Sequence, residues 1–259
     1  MEINSNNFLR WNSDPNVKDP YYIPSPYPIE HSILPYMPVL VPGEKTRFYI
    51  NVKGGANVPG GSINLLNPDG SVAMAAIGST QTDDLGDGNF NLYAELTGPV
   101  APSGIYRLQI GSGLVSNLVR VVHNLYADKT TLIKYRNNGR NLFGFNWVGM
   151  DEFYQQFRLH IFRIDQQPEY NIEQYRSSTS GKLRNLNGSI DRYVKFQSYY
   201  FDKEAHEACE AMLFHSEIWI NGKFYTFKSG YSSEPLTASK KSKGEFELWD
   251  EGFSSLNRC

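Results

Sequence analysis

The sequence predicts a mainly β protein: an N-terminal extended arm, an Ig-like β-sandwich, and a second β-rich domain with one α-helix. Three observations carry this reading. Short runs with two-residue alternation of apolar and polar side chains recur from residue 43 onward, separated by clusters of Gly, Pro, Asn and Asp. Aromatic residues make up 14% of the chain, led by 17 Tyr and 15 Phe, which suit a pleated surface. Prolines crowd the first 42 residues, at Pro15, Pro20, Pro24, Pro26, Pro28, Pro35, Pro38 and Pro42.

Residues 1–42 form the arm. Proline removes a backbone donor and pushes its predecessor toward extended conformations. Tyr21, Tyr22, Tyr27, Ile29, Ile33, Leu34, Tyr36 and Met37 are interleaved with these prolines. A free linker would be polar instead. An extended segment with so many apolar side chains needs a surface to lie on. That surface is either the chain's own domain or a neighbouring subunit. The candidate interface residues are Tyr21, Tyr22, Tyr27, Ile33, Leu34, Tyr36 and Met37.

Residues 43–125 read as the sandwich. Phe48, Ile50 and Val52 alternate with Arg47, Tyr49 and Asn51. Ile63 and Leu65 lead into Asn67-Pro68-Asp69-Gly70, where Pro presets a turn and Gly supplies positive φ. Val72 to Ile77 is the return strand. Asp83 to Asn89 has the look of a calcium loop, but Leu85 breaks the alternation of oxygen ligands. It reads as an acidic hairpin loop. Phe90, Leu92, Ala94 and Leu96 then alternate with polar neighbours, and Ile105 to Ile110 and Leu118 to Val122 complete the set.

Residues 126–259 read as the second domain. Leu132 to Arg136, Asn137-Asn138-Gly139 and Asn141 to Val148 suggest a hairpin. Phe153 to Ile164 and Arg192 to Phe201 read as strands, with Tyr170 to Arg176 as a polar partner segment. Asp202 is a suitable N-cap for a helix over about 203–215, because Ala205, Ala208, Cys209, Met212 and Leu213 fall on one face. Asn221-Gly222 between Glu217–Ile220 and Lys223–Phe227 is a strong two-residue hairpin signal. Glu245 to Trp249 is the expected last strand.

Composition and motifs exclude several functions. With 25 Lys and Arg against 27 Asp and Glu, the net charge is −2, so direct nucleic-acid binding is not expected. No stretch approaches the roughly 20 apolar residues that span a bilayer, so no membrane contact is expected. The two cysteines, Cys209 and Cys259, make no disulfide framework. The first residues lack the basic and apolar runs of a secretory signal, which suggests a protein kept in the cytosol or in a particle assembled there. His206 and Glu210 are spaced i, i+4 on the helix, but no further ligand cluster accompanies them. No catalytic serine elbow, phosphate loop or cofactor motif is present, so no enzymatic activity and no cofactor are expected. Lys240-Lys241-Ser242-Lys243 reads as a solvated loop. Trp147, Tyr154, Tyr199, Tyr200, Trp219, Tyr225 and Trp249 serve equally as core, as interface anchors or as a sugar platform.

Several stretches carry a resemblance to a known class. Tyr135-Arg136-Asn137-Asn138 with Asn141-Leu142-Phe143-Gly144, Phe157-Arg158-Leu159, Gln197 to Asp202, His215-Ser216-Glu217 and Ile220 to Lys223 resemble a domain found in structural proteins of phages infecting Bacteroidetes. Asn67 to Val72 and Gly104 to Leu108 resemble the Ig-like domains that such proteins carry. The resemblance covers most of residues 43–250 and is nearest to tail, neck or ring components of crAss-like phages. It implies a virion protein assembled in the host cytoplasm. It would be a cyclic homo-oligomer with heterologous contacts, joined to other tail or portal proteins. A carbohydrate- or receptor-binding tail-fibre protein or surface adhesin is the alternative, and a polysaccharide hydrolase is a further one.

Overall fold

The computed structural model describes residues 2–4, 6–12, 36–54, 60–111, 113–123, 127–139, 141–143, 145–148, 150, 152–235 and 242–252. The fold is mainly β with one long helix. Three short strands come from the arm: β1 (Glu2–Asn4), β2 (Trp11–Asn12) and β3 (Val39–Leu40). Six follow before residue 125: β4 (Lys45–Lys53), β5 (Ser62–Leu66), β6 (Val72–Gly86), β7 (Asn89–Thr97), β8 (Gly104–Ile110) and β9 (Leu114–Val121). The rest are β10 (Thr131–Arg136), β11 (Asn141–Leu142), β12 (Phe145–Asn146), β13 (Gln155–Leu159), β14 (Ile161–Arg176) and β15 (Leu183–Ser198), then helix α1 (Lys203–Leu213), β16 (Glu217–Ile220), β17 (Lys223–Pro235) and β18 (Ser242–Asp250).

The pairing runs as one path, β1-β4-β7-β6-β5-β8-β9-β3-β13-β10-β16-β17-β18-β15-β14, with β2 attached to β9. β13 also pairs with β4, through Gln156 and Arg47. That link closes the strands before residue 125 into a circuit completed by β3 and β13. An Ig-like sandwich has two separate sheets facing each other; here the hydrogen-bonded path is unbroken. β3 is the hinge of the arrangement, lying parallel to β9 and antiparallel to β13. Placed near residue 125, the module boundary is crossed by the core. One apolar cluster contains Phe48, Ile50 and Leu92 as well as Phe157, Phe196, Met212 and Leu248.

Several local readings meet the structure directly. Asp202 caps α1 by accepting from the Ala205 amide at 2.8 Å. Ala205, Ala208, Cys209, Met212 and Leu213 are buried on its core face. Asn221 and Gly222 have φ of 49° and 81°, the paired positive values of a two-residue hairpin turn joining β16 to β17. Asp83 to Asn89 is the β6–β7 hairpin end.

Three readings need correction. The hairpin expected across Asn137-Asn138-Gly139 does not form. Both edges of β10 are taken, by β13 and by β16, so the following residues fold back on themselves as β11 and β12. β6 extends to Gly86 rather than stopping at Ile77, because β7 pairs along its whole distal length. Tyr170 to Arg176 is a strand partner of β15 as expected, but it stands opposite Leu183–Ile190 rather than Arg192 to Phe201, because β14 and β15 each run for 16 residues.

Candidate functional site

The arm is tied to its own core at both described ends. Phe8, Leu9 and Trp11 are buried in the main cluster, as are Tyr36 and Leu40. Tyr36 lies 4.2 Å, centroid to centroid, from Phe201 and edge-on to His160. Its amide donates to the Asp202 carboxylate at 2.7 Å. Asp202 therefore serves two elements, capping α1 and fixing the returning arm. Arg10 reaches Asp202 and Glu204 from the outgoing side, at 3.5 Å each. Burial pushes the Tyr36 hydroxyl far above its ordinary range, so it stays neutral. Met37 is half-buried. Tyr21, Tyr22, Tyr27, Ile33 and Leu34 lie outside the described residues.

The feature that sequence reasoning missed is the length of the β14–β15 hairpin, 16 residues in each strand. Its last pairing with β18 is Tyr193 opposite Trp249. Beyond that, Leu183 to Arg192 pairs with β14 alone. At about 3.3 Å per residue, ten residues reach roughly 30 Å past the shared sheet. The outer edge of β14 has no strand partner among the described residues. Register fixes which face is which. Phe196 and Val194 face the core, and two-residue steps carry that face outward to Arg192, Ile190 and Gly188. Opposite Ile190 and Gly188 stand Tyr170 and Ile172, which are 60% and 48% exposed. The core face of the sheet thus continues onto a projection on which Tyr170 and Ile172 are exposed. Leu183, opposite Arg176, extends this face to the turn, where Gly181 takes φ of 65°, while Tyr175 lies on the other face, opposite Arg184. Lys228 anchors the root of the hairpin. It pairs with Glu169 at 2.8 Å and with Glu247 at 3.3 Å, and sits over the rings of Tyr193 and Trp249.

The remaining candidate chemistry is occupied within the chain. Cys209 is fully buried, and burial raises its thiol pKa far above the ordinary range, so the nucleophilic thiolate is suppressed. His206 does not combine with Glu210. Its Nε2 meets the Ser242 hydroxyl at 2.7 Å and its Nδ1 meets the Tyr231 hydroxyl. A serine beside a histidine invites a catalytic reading, but the group behind the imidazole is a tyrosine kept neutral by burial. Burial also lowers the His206 pKa. Neither feature strengthens a base. The three side chains instead clamp α1 to β17 and β18. Among the described residues, no group of three or more His, Cys, Asp or Glu is placed to hold a metal. Among the same residues, no helix is long and apolar enough to cross a membrane.

The aromatic candidates are spread through the fold. Trp147 and Tyr225 are buried. Tyr154 lies between Arg47 and Lys134, at 4.6 and 4.7 Å from its ring centre. Trp219 packs on Phe224 beneath Arg136. Lys243 lies over Tyr200, while Lys240 and Lys241 lie outside the described residues.

Tyr135, Trp147 and His215 meet in a buried seam. The His215 ring lies 4.7 Å from Tyr135 and 5.5 Å from Trp147. Its Nδ1 faces the carbonyls of Ala211 and Met212, at 2.9 and 3.2 Å, so Nδ1 carries the proton and donates. Burial lowers its pKa to about 4.

No family model matches this chain, and no curated protein matches it either.

Proposed function

We propose that this chain is a non-enzymatic virion structural protein, an oligomeric ring or hub component of the tail or neck of a tailed phage. One observation carries the assembly part of this reading: the core-facing side of β15 continues onto a projecting hairpin on which Tyr170, Ile172 and Leu183 are exposed. A monomer rarely exposes such a strip, whereas a subunit interface uses it. The open edge of β14 adds a second means of association, because unpaired backbone groups accept a further strand. Heterologous contacts between copies close into a ring. The virion part rests on the resemblance of residues 43–250 to phage structural proteins. The arm segment bearing Tyr21, Tyr22, Tyr27, Ile33 and Leu34 is the second proposed contact.

Native mass spectrometry and electron microscopy of the full chain test this. The comparison is a variant with Pro168 to Arg192 replaced by Asn-Gly, which keeps the Gln167–Tyr193 pair at the root. Closed rings from the full chain and folded monomers from the variant are expected. A full chain that stays monomeric at high concentration overturns the assembly reading.

A further inference from the structure

Charge is unevenly placed in this near-neutral chain. From residue 54 to residue 106 there is no Lys or Arg, while Asp69, Asp83, Asp84, Asp87 and Glu95 supply five acids. Three of these sit at the β6–β7 hairpin end, around an exposed Leu85. The opposite arrangement marks the β14–β15 hairpin. Residues 176–184 carry three Arg or Lys and no acid. There, exposed Arg176 and Lys182 flank exposed Tyr175 and Leu183.

The two ends are alike in form and opposite in sign. Each is a hairpin end with charges around exposed apolar side chains. Among the described residues, Asp83, Asp84, Asp87, Arg176 and Lys182 take part in no ion pair. Asp83 accepts the Tyr93 hydroxyl and Asp84 the Gly86 amide, which orders the acidic end. Elsewhere the chain pairs its charges freely, as at Arg158 with Glu44 and Arg136 with Glu217.

We infer that the basic, apolar end of the β14–β15 hairpin docks on the acidic β6–β7 end of a second copy of this chain. This rests on the oligomer reading above and names the surfaces that meet. The contact is heterologous, because the two ends that meet are different surfaces of the same chain. Such contacts build rings rather than isolated dimers. Leu85 meets Leu183 at its centre, with Arg176 beside Leu183 on the same face and the acids around Leu85. Opposite charge steers the two ends together and rejects like pairings.

The test uses the full-length wild type and three variants of it, by native mass spectrometry and light scattering at low and high salt. One variant carries Arg176→Glu and Lys182→Glu, a second Asp84→Lys and Asp87→Lys, and a third carries all four changes. Circular dichroism and melting confirm that each is folded. The expected result is rings from the wild type, a tenfold or greater loss of association in each singly reversed variant, and recovery when both ends are reversed. Wild-type association also weakens toward about 1 M salt, where the Debye length falls to about 3 Å. Rings that survive both single reversals overturn this contact and leave the oligomer reading standing. Loss in the singles without recovery in the combined variant shows that the ends do not face each other. If a reversed variant does not fold, the wild type's salt response decides: rings indifferent to salt overturn the contact. A wild-type monomer overturns both readings.

Discussion

Acid sensitivity isolates the seam around His215. The folded imidazole is enclosed by Tyr135, Trp147 and Phe143, with no carboxylate against it, and burial lowers its pKa to about 4. In the unfolded chain it returns to about 6.5. Below that value the unfolded state binds the extra proton first, so stability falls as pH falls. The loss begins near pH 6.5 and is complete below the folded value. Linkage puts the whole effect at about 3 kcal/mol, of which about 2 kcal/mol is lost between neutral pH and pH 5. His206 and His160 have lowered values too, through burial, so the wild type alone does not isolate His215. His215→Asn does: its amide replaces the Nδ1–H donor to the helix-end carbonyls and does not titrate. Urea unfolding of both proteins at pH 7.5 and pH 5 is the assay. The wild type should lose about 2 kcal/mol more than the variant. Equal losses would refute the argument, because burial of a neutral His215 would then contribute nothing to the pH response.

Other outcomes follow from the same geometry. Tyr36→Ala strips a buried ring from Phe201 and should cost about 3 kcal/mol in urea unfolding, whereas Tyr36→Phe loses only the hydroxyl that accepts the His160 amide and should cost about 1 kcal/mol. Asp202→Ala removes the helix cap and the acceptor of the Tyr36 amide, so it should exceed the loss of about 1 kcal/mol expected of a cap alone. Gly98→Ala would set a Cβ 1.9 Å from the Val41 carbonyl oxygen, so the β3 end must shift; a drop of roughly 3 kcal/mol or failure to fold is expected. In a Cys259→Ser background, Cys209 should react with a thiol reagent no faster than the protein unfolds.

The legible parts of this fold are those whose cause is local. Asp202 caps a helix because its side chain reaches an amide three residues on. Asn221-Gly222 turns a hairpin because both residues tolerate positive φ. The candidate site was legible only in part. Tyr36 was singled out and is packed, but on its own chain rather than a neighbour. The pairing of Tyr170 to Arg176 with the later strand was legible, but its reach was not, because Gln, Asn and Glu separate its apolar residues and Pro168 interrupts the run.

The sequence by itself determined the β class, the helix and its cap, and the tight turns at Asn67 to Gly70 and at Asn221-Gly222. Their information lies within a few residues, in backbone preference and side-chain period. Only the tertiary structure decided how far strands extend and which faces are covered. Tyr49 alternates outward on β4, yet it is fully buried because Phe145 stacks on it at 4.1 Å and Trp147 packs edge-on. Tyr170 and Ile172 continue the core face, yet they are exposed because β18 has already ended at Asp250. Burial is a property of the neighbour that arrives, and that neighbour lies far away in the chain.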